Sequence, residues 1–165
     1  MTAARQERKS RPLTRAFLWA AVMVLAASPW GRPMAADPAV FNRYTGLAID
    51  GYDPVSYFVD RAPRLGRPDF ELRYGGASWR FVNEGNMAAF AADPEAYAPH
   101  FGGHDPVAIV RGAATPGHPL LWLVAENRLY LFYSEEARTA FASNPDSAVD
   151  AAARYWPDVR RNMPQ

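Results

Sequence analysis

The sequence predicts an α+β fold: two pseudo-repeated strand–hairpin–helix units sharing one core, followed by a C-terminal helix. Three observations carry this. Gly51-Tyr52-Asp53-Pro54-Val55 returns 52 residues later as Gly103-His104-Asp105-Pro106-Val107. Gly66-Arg67-Pro68 returns after 51 residues as Gly117-His118-Pro119, and Phe90-Ala91-Ala92-Asp93-Pro94 returns as Phe141-Ala142-Ser143-Asn144-Pro145. Between these landmarks each copy holds two apolar runs separated by a turn. A fixed period is expected where one unit alone cannot bury its apolar face. The copies span about 50–97 and 102–148.

Residues 1–36 read as an export leader. Arg5, Arg8, Lys9, Arg11 and Arg15 form a basic head, and Ala16 to Ala27 is an apolar run. Pro29, Gly31 and Pro33 break that run, and Ala35-Ala36 offers small residues for cleavage. This is the layout of a Sec-type signal peptide. The run is shorter than the roughly 20 apolar residues of a spanning helix. The expected location is therefore periplasmic or secreted, with an uncleaved anchor as the alternative.

Each unit is then read from its local signals. Tyr52 to Val59 is rich in aromatic and β-branched residues and reads as a strand. Phe70 to Phe81 turns at Gly75-Gly76, where glycine reaches positive φ without Cβ strain. Its counterpart, Leu120 to Tyr133, turns at Glu126-Asn127. Ser78-Trp79-Arg80-Phe81-Val82 alternates polar and apolar residues, so one face is buried. Asn83 and Ser134 are placed to cap the helices that follow, since their side-chain oxygens accept from free N–H groups. Pro94 and Pro145 stop those helices. Asp146 to Tyr155 is Ala-rich and helical in pattern. Pro157 is expected to end it, leaving 159–165 as a flexible tail after a domain spanning 37–158. Trp79, Phe81, Phe90, Trp122, Tyr130, Phe132 and Phe141 are the expected core.

Once the leader is removed, residues 37–165 carry twelve arginines, no lysine and sixteen acidic residues, a net charge of −4. A mildly acidic domain with scattered arginines argues against nucleic acid as a partner, because phosphate contact needs clustered basic groups. With no cysteine there is no disulfide. Packing must supply the stability.

His100, His104 and His118 fall within one short stretch, with Asp105 beside them. Imidazole is the commonest metal ligand, and this donor set suits Zn or Cu. Gly102-Gly103 interrupts any helix that would align the first two, and turn histidines are the plainer reading. Asp53 and Asp105 each precede a proline. The plainer reading is that their side chains bond nearby backbone N–H groups; the alternative is a pair of carboxylates facing one cleft. Tyr52, Asp53 and Tyr57 are the candidate lining of a ligand pocket, with Tyr44 and Tyr74 nearby. The chain has no nucleophile elbow, phosphate loop or His-Glu-x-x-His motif, and no catalytic residue is assigned.

Asp50-Gly51-Tyr52-Asp53-Pro54-Val55-Ser56-Tyr57-Phe58, Trp79-Arg80-Phe81, Phe90 to Tyr97, Phe101-Gly102-Gly103, Leu129-Tyr130-Leu131 and Trp156-Pro157 together resemble a bacterial YHS domain protein. The resemblance covers about 44–158. It implies a compact α+β module related to small cysteine-bearing metal-binding domains. Many YHS members place a Cys two residues after the second Gly of the Gly-Gly pair, where this chain has Asp105. The metal-binding thiolate is thus absent here. The expectation is an exported, non-enzymatic binding module for an unidentified partner, a small ligand or a protein. The alternatives are a Zn or Cu carrier using the three histidines, and an interaction protein of the cell envelope with no small ligand.

Overall fold

The structure, a computed structural model, describes residues 39–163. The expected leader lies outside the described residues. Unit one holds α1 (Ser56–Val59), β1 (Arg67–Tyr74), β2 (Ala77–Phe81), α2 (Glu84–Ala92) and α3 (Pro94–Tyr97). Unit two repeats that order as α4 (Pro106–Val110), β3 (His118–Ala125), β4 (Arg128–Phe132), α5 (Glu135–Ser143) and the longer α6 (Pro145–Arg161). Each unit has one antiparallel hairpin, β1–β2 and β3–β4.

The repeat extends to single hydrogen bonds. Each unit opens on a 3-10 turn with three consecutive positive φ values. They are 41°, 52° and 81° at Ile49, Asp50 and Gly51, and 53°, 63° and 89° at Phe101, Gly102 and Gly103. The Gly66 N–H donates to the Gly51 carbonyl, and the Gly117 N–H to that of Gly103, both at 2.9 Å. Strands β2 and β4 pack so close to Gly66 and Gly117 that a side chain is excluded. A Cβ on Gly66 would lie 2.4 Å from the Arg80 carbonyl carbon, and one on Gly117 2.5 Å from Leu131 Cβ. Asn83 and Ser134 cap α2 and α5 by accepting from Asn86 N (2.8 Å) and Ala137 N (3.2 Å).

The opening segment of each unit is a helical turn, α1 or α4, and not the expected strand. Aromatic and β-branched content favours a strand only weakly. Here Asp-Pro decides the matter: the Asp side chain accepts from the N–H two residues on, and Pro sets the helical φ of the first turn. The helix expected to stop at Pro157 runs on to Arg161, with Val159 buried. An interior proline costs about 3 kcal/mol. Burial of Trp156 and Val159 on either side of it offsets that cost, so the supposed flexible tail is ordered helix as far as Arg161.

The single shared core resolves into two clusters with a common wall. Strand geometry sends successive side chains to opposite faces. In β4, Leu129 and Leu131 join Trp79, Phe81 and Phe90 of unit one, whereas Tyr130 and Phe132 join Phe141, Ile109 and Trp156 of unit two. In β2 the residues corresponding to Leu129 and Leu131 are Ser78 and Arg80, so that hairpin buries one face only. The units therefore stack in tandem, not aromatic face to aromatic face. Tyr57 ties them: its hydroxyl donates to the Pro119 carbonyl at 2.9 Å, and its ring meets Trp122 edge-on at 5.3 Å.

Candidate functional site

Asp53 and Asp105 are buried and act as clamps within their own units. One Asp53 carboxylate oxygen accepts from Val55 N at 2.8 Å; the other accepts from Val82 N at 2.9 Å and Asn86 Nδ2 at 2.7 Å. Asp105 accepts from Val107 N at 2.8 Å and, 28 residues away in sequence, from Tyr133 N at 3.0 Å. Each clamp ties the start of its unit to the end of its second strand. The two carboxylates do not face a common cleft. Asp53 and Tyr57 are 0% and 1% exposed, so neither lines an open pocket. Tyr52 packs half-buried against the first cluster, and Tyr44 is fully exposed.

The histidines also take separate parts. His104 is buried with its ring against Trp156 at 5.3 Å, and its Nδ1 lies 2.9 Å from the Phe101 carbonyl. The His100 ring packs on Phe101 and Tyr130. His118 is exposed at the start of β3, where Nδ1 accepts from Leu120 N at 3.1 Å. Among the described residues no three His, Asp or Glu side chains come together as a metal shell requires. His100, His104, His118 and Asp105 are thus not assembled into a ligand set.

What the fold does open is a groove of about 350 Å³ in unit two. Ala125, Glu126, Tyr130, Pro145, Asp146, Val149 and Asp150 line it. Its origin lies in the differences between the copies. In unit one Tyr74 occupies the place of Ala125 and packs its ring on Phe90 at 5.7 Å. In unit two a methyl group stands where that ring would be, and space remains. The neighbouring position differs too. In unit one the Trp79 indole donates to the Tyr74 carbonyl at 2.9 Å. Its counterpart Tyr130 makes no such bond; the residue is 2% exposed and lines the groove. Burial raises the Tyr130 pKa; Arg128 opposes the shift, while Glu126 and Asp146 reinforce it from the groove side.

Glu126 stands at the hairpin tip with φ +47°, the place of Gly75 in unit one. A left-handed conformation strains any residue with a Cβ by about 1 kcal/mol or more. Asp146 lies in the first turn of α6, where the helix dipole favours an anion. Asp150 is one turn further along the same face. Among the described residues none of these three carboxylates forms an ion pair. The rim is therefore anionic, the floor is apolar, and Tyr130 lies in the field of Glu126 and Asp146.

Sequence reasoning placed Tyr130 in the core, Glu126 in a turn and Asp146 at a helix start, and assigned none of Ala125, Glu126, Asp146 and Asp150 to a site. The signal was present in the comparison of the two copies, at Tyr74 against Ala125, Gly75 against Glu126 and Trp79 against Tyr130. Comparison of the chain with family models, curated proteins and solved structures found no match.

Proposed function

We propose that this chain is an exported, non-enzymatic binding module of the YHS type, with the groove in unit two as its ligand site. The observation that carries the reading is the loss of the Tyr74 ring at Ala125. It opens a groove beside Tyr130, at a place that the Tyr74 ring fills in unit one. Small-molecule sites are concave, largely apolar and supplied with a few polar groups, from about 300 Å³ upward. The basic head and short apolar run of residues 1–36 support export, and the motif residues from Asp50 to Pro157 support the YHS likeness.

The test has two parts. Cell fractionation with N-terminal mass determination should find a periplasmic chain starting near Asp37. A full-length cytosolic protein rejects export. Native mass spectrometry of protein taken from its own host should find a bound small molecule that Ala125→Tyr protein lacks. Equal occupancy of the two proteins rejects the groove as the site.

A further inference from the structure

We propose that the groove takes a small organic cation: an alkylammonium or guanidinium compound with a short aliphatic stem. This rests on the groove's being the binding site, and it adds the chemistry of the occupant. Glu126, Asp146 and Asp150 place three carboxylates around an opening floored by Ala125, Pro145, Val149 and the edge of Tyr130. The positive end of α6 contributes about half a charge of the opposite sign, which three carboxylates outweigh. The Arg128 side chain, the basic group nearest Tyr130 in sequence, is engaged elsewhere, donating to the Glu95 carbonyl at 2.6 Å.

A metal ion fits less well than an organic cation. Calcium or magnesium needs several oxygens within about 2–2.6 Å of one point, and no three acidic groups converge in that way among the described residues. Carboxylates spread around an apolar floor suit a ligand that carries its charge at the ends of a hydrocarbon stem. The space of about 350 Å³ is roughly ten times the ~30 Å³ share of one water molecule, so it admits a small organic compound. Tyr130 lines the same groove, and a phenol oxygen can accept from an ammonium N–H. Glu126 brings its carboxylate to the rim from a positive-φ position that glycine fills in unit one.

Isothermal titration of the purified protein with 1,4-diaminobutane and spermidine tests this. Butanol, butyrate and calcium serve as comparison probes. The expected result is saturable binding of the amines that weakens as salt rises, with no binding of the comparison probes. Asp146→Asn combined with Asp150→Asn should weaken it at least tenfold, and Ala125→Tyr should abolish it. Glu126→Gly should weaken binding and raise the melting temperature by a few degrees; melting curves also establish that each variant folds. Amine binding that survives Ala125→Tyr or the double variant overturns the assignment. Binding of a neutral or anionic compound that Ala125→Tyr abolishes overturns the cation while the binding module stands. If no compound binds and native protein carries none, both readings fall.

Discussion

Replacing Asp53 by Asn tests the clamp that organises each unit. The carboxylate accepts three hydrogen bonds, from Val55 N, Val82 N and Asn86 Nδ2, at 0% exposure. A neutral amide presents one oxygen. With that oxygen toward Val82 and Asn86, its NH2 group faces the Val55 N–H; turned round, it strands two donors. The cheaper arrangement leaves one buried N–H unsatisfied, at about 1–3 kcal/mol. The two retained bonds fall from charge-assisted to neutral strength, roughly a halving. Burying an amide in place of a carboxylate returns part of the loss. The net expectation is about 3 kcal/mol of destabilisation. For a domain of this size 1 kcal/mol moves the melting temperature by about 3–6 °C, so calorimetry should find a fall of about 10 °C or more. Urea unfolding should give a lower midpoint with an unchanged slope. Asp105→Asn should also destabilise, by less, because Val107 and Tyr133 repeat the backbone bonds but nothing among the described residues matches that from Asn86. If either variant melts within about 3 °C of the parent, the clamp is not what ties the unit together.

Two further perturbations follow from the packing. Gly117→Ala sets a Cβ against Leu131 at 2.5 Å, and the strand must shift, at about 2–3 kcal/mol; a urea midpoint equal to the parent's refutes the close approach. Tyr57→Phe removes the bond to the Pro119 carbonyl and should cost about 1–2 kcal/mol at neutral pH, read by the same denaturation. The Tyr57 pKa is raised, mainly by burial and further by Tyr52 and Asp53, so the folded chain holds this proton to higher pH than the unfolded chain does. Stability that is complete below about pH 10 should therefore fall as pH rises above that value. Tyr57→Phe should flatten the decline; an identical decline in both proteins contradicts the assignment.

The sequence by itself determined the duplication, the α+β class, the two hairpin turns and the caps at Asn83 and Ser134. These are short-range matters: a capping oxygen reaches an N–H three residues on, and a tight turn is selected by the residues within it. Leu129-Tyr130-Leu131-Phe132, apolar throughout where Ser78-Trp79-Arg80-Phe81 alternates, already carried the sign that β4 is buried on both faces. Only the tertiary structure decided what those faces meet, namely a core on each side. It decided that the second oxygens of Asp53 and Asp105 reach across the unit to Val82 and Tyr133. It also decided that helix α6 runs through Pro157, because burial of Trp156 and Val159 outweighs a local penalty. The groove belongs to the same class. Ala125, Glu126, Tyr130, Asp146 and Asp150 are each unremarkable in sequence, and a cavity exists only where packed elements leave a side chain out.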